Sequence, residues 1–224
     1  KGLDVEGHSA VISGSGNVAT HAAEKITQLG GKVLTLSDSG GFIHDPDGID
    51  QEKIDFVKHL KTVKRGRISE YVNEFKGASY HEGERPWGVA CDLALPCATQ
   101  NELNDDEAKA LVGNGVKGVS EGANMPTTLA GVKVFHEAKI MYGPGKAANA
   151  GGVAVSGLEM SQNSERISWN HARLGEMLTD LMEGIHGKCV EYGDQGEGYV
   201  DYVKGANIAG FKKVADAMLA FGVV

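Results

Sequence analysis

The chain has 224 residues, of which 41% are hydrophobic and 23% are charged, and its formal net charge is -8. This length suffices for one sizeable core, with or without a small appendage. The acidic balance argues against a nucleic acid as partner, because phosphate backbones bind to basic faces. No run approaches the ~20 apolar residues of a membrane span, so no membrane partner is expected. The three cysteines, Cys91, Cys97 and Cys189, lack CxxC spacing. An odd, unpaired set of this kind is typical of a reducing compartment, and we expect a cytoplasmic protein.

A glycine turn follows the first predicted strand. Residues 10–12 are apolar and residues 17–29 are amphipathic, so the sequence predicts a strand, a turn and a helix. Gly14 permits the tight turn, Gly16 lets the backbone approach a pyrophosphate, and the small Ala19 lets the helix pack closely on the strand. The start of the helix offers free N–H groups and the positive end of its dipole to phosphates. The pattern predicts dinucleotide binding.

The next residues continue this pattern. Gly30 and Gly31 end the helix, and residues 32–37 are predicted to form a second strand. Asp38 stands at the end of that strand, about 20 residues beyond the glycines, where an acidic residue usually binds the hydroxyls of the adenine ribose. The alternative is a tight strand–helix turn without a cofactor. The complete succession of strand, turn, helix, strand and acid disfavours that alternative.

Predicted helices and strands alternate through the next hundred residues or so. The predicted helices have apolar positions at helical spacing and span residues 50–62, 67–76 and 104–113. The predicted strands are short and span residues 92–95, 116–120 and 139–142. Pro126 fits the first turn of one more helix. Alternation of this kind predicts an α/β fold with a Rossmann-like, doubly wound, mostly parallel sheet.

Strand signals vanish from about residue 149. Three further helices are predicted over residues 156–169, 171–192 and 203–221. We therefore expect a dinucleotide-binding domain over residues 1–150. A helical segment over residues 151–224 is expected to pack on the sheet and towards a substrate domain that is missing from this chain.

Three segments rich in small residues and uncharged polar groups lie where predicted strands end: 96–101, 121–128 and 145–153. Ligands of open α/β sheets bind outside the carboxyl ends of the strands. Amides there can hydrogen-bond a nicotinamide carboxamide without altering its redox charge. Turn chemistry explains one such segment, but three at successive strand ends favour a binding site. The eight histidines form no metal-spaced cluster, so no metal site is expected.

Longer motifs resemble the glutamate dehydrogenase family. They occupy, in the family's order, residues 14–19, 96–101, 121–128, 149–160, 162–164 and 205–211. The resemblance covers essentially the whole chain, and the long motifs are far more specific than the glycine turn. It implies the coenzyme-binding domain and C-terminal helices of an oxidoreductase that converts L-glutamate reversibly to 2-oxoglutarate and ammonia.

The family's earlier domain, with its catalytic lysine and aspartate and most subunit contacts, finds no match among these residues. We therefore assign no catalytic residue to this chain and expect the chain alone to be inactive. For the full-length parent protein the resemblance implies a homohexamer.

The resemblance, together with the glycine turn, assigns cofactor-binding residues: Gly14, Ser15, Gly16, Asn17, Val18, Asp38, Ser39, Lys61, Lys64, Ala98, Thr99, Gln100, Asn124 and Asn149. Asn17 would meet the pyrophosphate. Gln100 and Asn124 would lie near the nicotinamide ribose, and Asn149 near the carboxamide. Val153 and Ser156 would line the glutamate side of the cleft.

The residues around Asp38 bear on the choice between NAD and NADP. Asp38 alone favours NAD, because a carboxylate repels a 2′-phosphate. NAD-using relatives, however, often carry an aromatic residue where this chain has Ser15 and a Gly-Pro-Asp run at residues 38–40. This chain instead has a small hydroxylic pocket, and a cluster of cations follows it: Lys61, Lys64, Arg65 and Arg67. Hydroxyl and cationic donors suit a 2′-phosphate, so we expect NADP.

Two other functions remain open from the residues alone. The chain could be the coenzyme domain of a related dehydrogenase acting on an apolar amino acid, since the substrate's side-chain pocket lies largely outside it. It could also be a non-catalytic nucleotide-sensing module. The residues from 153 to 156 count against a sensor, because a sensor needs no substrate wall.

Overall fold

A computed structural model of the chain describes residues 4–196 and 198–222. The chain forms two compact units that divide between Met141 and Tyr142. The first unit is an α/β layer structure, and the second is helical. The function-based division predicted at residue 150 stays a prediction.

The strands and helices alternate through the first unit. The strands are β1 (Ser9–Ile12), β2 (Lys32–Asp38), β3 (Gly41–His44), β4 (Ser79–Glu82), β5 (Leu93–Leu95), β6 (Gly118–Ser120) and, at the division, β7 (Met141–Gly143). The helices are α1 (Asn17–Gln28), α2 (Gln51–His59), α3 (Tyr71–Glu74), α4 (Asp105–Gly113) and α5 (Leu129–Glu137).

The seven strands form one sheet in the order β4-β3-β2-β1-β5-β6-β7. β1 pairs in parallel with both β2 and β5, and β5 pairs in parallel with β6. The mostly parallel α/β fold predicted from the sequence is confirmed. Because β1, β2, β5 and β6 run in the same direction, the loops that follow them emerge at one edge of the sheet.

Helix α1 shows how local sequence builds this layer. Its buried residues, Ala19, Thr20, Ala23 and Ile26, recur at helical spacing and face the sheet. The helix ends as the glycine pair predicts: Gly30 has a φ of 80°, its N–H donates to the Thr27 carbonyl, and the Gly31 N–H donates to the Ile26 carbonyl. The main core then fills with aliphatic side chains from the sheet and from α1 and α2.

The sequence does not predict two of the strands, β3 and β4. β3 pairs with β2, and β4 with β3, and both pairs are antiparallel. Only Ser39 and Gly40 separate β2 from β3, and a four-residue strand that starts on a glycine carries little periodic signal. β4, with the sequence SYHE, is a largely polar edge strand.

Several helix boundaries differ from the sequence prediction. The helix predicted over residues 50–62 is regular only to His59 and continues as a π-helical turn, Leu60–Lys64. The helix predicted over residues 67–76 is a 3-10 turn, Ile68–Glu70, followed by the short α3. The placement of Pro126 in a first helical turn is wrong. α5 begins at Leu129, and the Thr128 side chain caps it by accepting from the Gly131 N–H.

The second unit contains four helices within residues 142–196 and 198–222: α6 (Gly145–Ala148), α7 (Ala150–Glu165), α8 (His171–Gly193) and α9 (Tyr202–Phe221). The sequence predicts the last two closely. It predicts α7 over residues 156–169, whereas the structure has this helix at Ala150–Glu165. Gly151 and Gly152 lower the helix propensity of the first turn, so the sequence signal for its start is weak. Across residues 4–196 and 198–222, every helix is too short or too polar to cross a lipid bilayer.

Helices α8 and α9 approach each other closely at a glycine. A Cβ on Gly205 would overlap the backbone of Cys189, so the residue must stay small. Farther along, the rings of His186 and Tyr202 stack with their centroids 5.6 Å apart. Gly210 lies on the same helix, and a Cβ there would meet nothing within 4 Å.

We expect Gly205→Ala to lower the free energy of unfolding by about 1–3 kcal/mol, because the added methyl forces the helix backbones apart. Gly210→Ala is the matched control, and it should stabilise the protein by up to about 1 kcal/mol, since alanine is the better helix former. Chemical denaturation followed by circular dichroism measures both. Equal effects of the two substitutions would contradict the close packing at Gly205.

Candidate functional site

A cleft of about 720 Å³ opens at the carboxyl edge of the sheet. Its walls are the glycine turn after β1, the end of β2, and the loop after β5. A smaller cleft of about 420 Å³ shares lining residues with it and extends towards the loop after β6. The shared residues are Val18, Cys97, Ala98 and Thr99. The position is the one at which open α/β sheets bind ligands.

The turn after β1 is fixed by buried hydrogen bonds on both sides. The Gly14 N–H donates to Ser37 Oγ at 2.7 Å, and the Ser37 N–H donates to the Gly14 carbonyl at 2.9 Å. On the other side, the Cys97 N–H donates to Ser13 Oγ at 2.9 Å. Gly14 has a φ of 86°, and a Cβ there would lie 2.9 Å from the Cys97 carbonyl oxygen. The turn therefore requires glycine for its conformation and for its packing.

The N-terminus of α1 opens onto the larger cleft. Gly16 is its N-cap and has no side chain to cap the helix. The first N–H groups of a helix lack partners within the helix, and they lie at the positive end of its dipole. Gly14, Ser15, Gly16 and Asn17 all line the cleft. This arrangement suits an anionic group such as a pyrophosphate.

Asp38, at the end of β2, is held by the chain itself. Its Oδ2 accepts from Lys61 Nζ at 3.0 Å and from the Ile68 N–H at 2.9 Å, and its Oδ1 accepts from the Gly40 N–H at 2.9 Å. Burial alone would raise the pKa of this carboxyl. The Ile68 and Gly40 N–H groups and the Lys61 ammonium outweigh burial and lower the pKa. Asp38 is therefore an ionised carboxylate whose charge is balanced locally.

Two donors beside Asp38 face outward. Arg67 Nη1 donates to Ser39 Oγ at 2.8 Å, and both residues are exposed and line the larger cleft. The π-helical turn Leu60–Lys64 and the left-handed Arg65, with a φ of 54°, lead into this corner. Guanidinium and hydroxyl groups so placed can bind a phosphate.

The loops after β5 and β6 are joined to each other by their backbones. Asn101 N–H donates to the Met125 carbonyl at 3.0 Å, and Leu103 N–H donates to the Pro126 carbonyl at 3.0 Å. In return, the Thr128 N–H donates to the Leu103 carbonyl at 2.9 Å. Asn101 and Met125 both have positive φ, of 55° and 48°. Backbone held in this sparsely populated region persists only where its surroundings fix it.

The structure brings most of the predicted site residues together. The larger cleft is lined by ten of them: Gly14, Ser15, Gly16, Asn17, Val18, Asp38, Ser39, Lys61, Ala98 and Thr99. The smaller cleft adds Gln100 and Asn124. Lys64 is exposed and lines neither cleft. Asn149, Val153 and Ser156 belong to the second unit, where Val153 and Ser156 are exposed on α7. The functional roles of all these residues stay predictions.

Eight further residues line the larger cleft: Ser37, Gly41, Arg67, Gly83, Glu84, Arg85, Cys97 and Glu102. Of these, the sequence places Arg67 in the cation cluster and Cys97 in the segment 96–101, and it does not identify the other six. Ser37 adjoins Asp38 at the end of β2, so its position in the sequence could have identified it as a site residue. Residues 83–85 follow β4, which the sequence does not predict, so no predicted strand end marks them as site residues. Among residues 4–196 and 198–222, the His, Cys, Asp and Glu side chains form no group of three that could hold a metal ion.

A mostly parallel sheet, a glycine turn, an uncapped helix N-terminus and an acid after the second strand together define a Rossmann-type dinucleotide-binding domain. Comparison with known proteins goes further. The chain belongs to the Glutamate/Leucine/Phenylalanine/Valine dehydrogenase family, whose family model matches residues 1–222. The resemblance to the glutamate dehydrogenases is thereby confirmed.

Among similar proteins, a glutamate dehydrogenase of Bacteroides thetaiotaomicron is 59% identical over 100% of this chain and 50% of its own length. An NAD-specific glutamate dehydrogenase of Bacteroides fragilis and an NADP-specific one of Salmonella typhimurium are each 52% identical over 100% of this chain, and over 50% and 49% of their own lengths. The solved structure of Plasmodium falciparum glutamate dehydrogenase superposes with a TM-score of 0.94 at 47% identity, covering 99% of this chain and 48% of that one. The chain thus spans about half the length of the curated relatives it matches.

We expect Gly14→Ala to destabilise the first unit by about 2–4 kcal/mol, since the methyl meets the Cys97 carbonyl and the positive φ disfavours a side chain. Gly16→Ala is the control. Its Cβ meets nothing within 4 Å and its φ is −84°, so the change in the free energy of unfolding should stay within about 1 kcal/mol. Urea denaturation measures both. A stable Gly14→Ala protein would show that the turn can relax.

Proposed function

We propose that the chain is the cofactor-binding part of an NADP-dependent glutamate dehydrogenase, which interconverts L-glutamate with 2-oxoglutarate and ammonia. The observation that carries the proposal is the uncapped N-terminus of α1, which opens on the 720 Å³ cleft behind the Gly14 turn. Similarity to glutamate dehydrogenases along the whole chain supports the substrate. We extend the proposal to a cytoplasmic homohexamer for the complete protein.

The chain's part in this reaction is to bind and orient the cofactor. Bound NADP⁺ supplies a nicotinamide ring that accepts the hydride from the α-carbon of glutamate. The N–H groups at the start of α1 would bind the pyrophosphate, close to Asn17. Gln100 and Asn124, which line the smaller cleft, would hold the nicotinamide ribose. The assignments of Asn149 to the carboxamide, and of Val153 and Ser156 to glutamate, rest on the family resemblance.

The preference for NADP rests on the corner around Asp38. Both carboxylate oxygens of Asp38 already accept hydrogen bonds from the chain, and Lys61 balances the charge. A 2′-phosphate would therefore meet less repulsion than a free carboxylate would cause. Ser39 and Arg67 offer a hydroxyl and a guanidinium beside it. Each charge-assisted hydrogen bond of this kind contributes about 1.5–3 kcal/mol.

Overall similarity does not select the cofactor, since NAD-specific and NADP-specific relatives are equally identical to this chain. The local donors therefore carry this part of the proposal. A related dehydrogenase for an apolar amino acid is less well supported, because the most similar of the relatives named above is a glutamate dehydrogenase. A nucleotide sensor is disfavoured by the same similarity.

We expect the complete protein to bind NADPH more tightly than NADH, and Arg67→Ala to weaken NADPH binding about tenfold while leaving NADH binding nearly unchanged, because only NADPH carries the 2′-phosphate. Fluorescence titration at fixed salt concentration measures both dissociation constants.

Lys64→Ala is the comparison, since Lys64 lies outside both clefts and should change NADPH binding about twofold or less through screened charge alone. A loss as large as that of Arg67→Ala would instead place Lys64 at the phosphate, as the sequence predicts. Tighter binding of NADH than of NADPH would contradict the cofactor preference.

We expect the 224-residue chain by itself not to oxidise glutamate at a measurable rate, even when it binds cofactor. Hydride transfer requires the reacting carbons to be held about 3–3.5 Å apart, and a chain that spans half of its relatives supplies only part of the cleft. The assay is NADPH production from glutamate at high protein concentration. Turnover that is lost in a Ser156→Ala variant would mean that the catalytic lysine lies within this chain, with Lys146 the first residue to examine.

A further inference from the structure

Glu102 is a buried acid in the wall of the larger cleft, one residue beyond the amide-rich motif at 96–101. Its exposure is only 8%. A carboxylate repels an anionic dinucleotide, so Glu102 is poorly suited to bind the cofactor directly. Its contacts are instead with the chain's own backbone.

The side chain of Glu102 holds the loop after β5. Its Oε1 accepts from the Ala98 N–H at 2.9 Å and from the Thr99 N–H at 3.2 Å. The Ser13 hydroxyl also acts to lower the pKa of this carboxyl, against the effect of burial. Ser13 is 1% exposed and holds the same loop through the Cys97 N–H. The loop after β5 is therefore held at Ala98 and Thr99 by the Glu102 carboxylate, and at Cys97 by Ser13 of the turn after β1.

The backbone of Glu102 holds a third segment. Its carbonyl oxygen accepts from Arg85 Nη1 and, at 3.3 Å, from Trp87 Nε1. Trp87 is 1% exposed, so this end of the segment is firmly packed. Arg85 also pairs with Glu107, the capping-box residue of α4, at 3.3 Å. Glu102 therefore lies where three segments of the cleft wall meet.

The loop that Glu102 holds is the one that both clefts share. Ala98 and Thr99 line the larger and the smaller cleft alike, and their N–H groups are turned to Glu102. A loss of that acceptor leaves two donors free to seek water or ligand, and the loop is then free to shift. The backbone hydrogen bond from Asn101 to Met125 would transmit such a shift to the loop after β6.

We propose that Glu102 is a positioning residue for the cofactor, whose buried carboxylate fixes the loop at 97–99 in the shape that a pyridine nucleotide requires. The inference rests on the proposed function of the cleft. It assigns to Glu102 no contact with the cofactor itself. Because the loop lines both clefts, its position should affect the binding of NADPH and of NADH equally. Arg67, in contrast, should affect the binding of NADPH alone.

The test uses three substitutions in the complete protein. Glu102→Gln keeps an acceptor oxygen at the same reach without the charge, and Glu102→Asp keeps the charge but falls short of the loop. Glu102→Ala removes both. We expect Glu102→Gln to retain affinity for both nucleotides within about threefold, and Glu102→Asp and Glu102→Ala each to lose about tenfold in affinity for both. The Michaelis constant for the nucleotide should rise in parallel, with kcat per folded protein largely kept and the Michaelis constant for glutamate unchanged.

Asp45→Asn is the matched control, because Asp45 is an equally buried acid in the same unit that lines neither cleft. It is 1% exposed, pairs with Lys53 at 2.8 Å and accepts from the Tyr71 hydroxyl at 2.7 Å. The Asp45→Asn substitution should lower the melting temperature without changing the dissociation constant for NADPH or for NADH. Variants of Glu102 that lower the melting temperature but leave the nucleotide constants as they were would reduce Glu102 to a structural residue and overturn the proposal.

Other outcomes separate the inference from the function beneath it. If Glu102→Gln bound the nucleotides as weakly as Glu102→Ala while Glu102→Asp bound them like the wild type, charge rather than hydrogen-bond reach would matter. That result would overturn the positioning role. A wild-type protein that binds neither NADPH nor NADH would overturn the proposed function, and the inference would fall with it. Wild-type binding together with unchanged binding in Glu102→Ala would overturn the inference alone.

Discussion

The backbone around Gly14 is held between two neighbouring strand ends by the hydroxyls of two buried serines. Ser37 accepts from the Gly14 N–H on one side, and Ser13 accepts from the Cys97 N–H on the other. A buried N–H that loses its partner costs about 1–3 kcal/mol, so neither hydroxyl can move without a penalty. With the turn fixed in this way, α1 must begin where it does, with its free N–H groups open to the cleft. The rest of the site is arranged around that helix end.

A chain with a net charge of -8 can still bind an anionic ligand, because the relevant electrostatics are local. Charges farther away than the Debye length of about 8 Å are largely screened at physiological salt. Within the cleft, Lys61, Arg67 and Arg85 stand among the lining residues with Asp38, Glu84 and Glu102. The formal charges of these six side chains balance. The helix N-terminus then adds a positive potential, and the first turn of α1 carries no acidic residue that would reduce it.

The sequence predicts those parts of the fold and site that local rules determine. The glycine turn, α1 and β2 follow from residue types at fixed spacing, and so does the ending of α1 at Gly30. The sequence does not predict β3 and β4, because they are short and their pairing depends on the neighbouring strands rather than on their own residue pattern. The role of Glu102 is not predicted for a related reason. The Ser13 hydroxyl that influences its pKa is far away along the chain, and only the folded sheet brings the two residues near each other.

Asp38 and Glu102, two acids that line the cleft, show how similar groups acquire different electrostatic behaviour. Asp38 receives two N–H groups and the Lys61 ammonium, and these donors lower its pKa in spite of burial. At Glu102 burial dominates and raises the pKa, against the Ser13 hydroxyl, the Ala98 and Thr99 N–H groups and Arg85. The firmly ionised acid thus lies at the end of β2, where a lysine balances it. The acid that ionises less readily lies beside the glycine turn, where phosphates would bind. Donors from the chain therefore decide the direction of the pKa shift at Asp38, whereas burial decides it at Glu102.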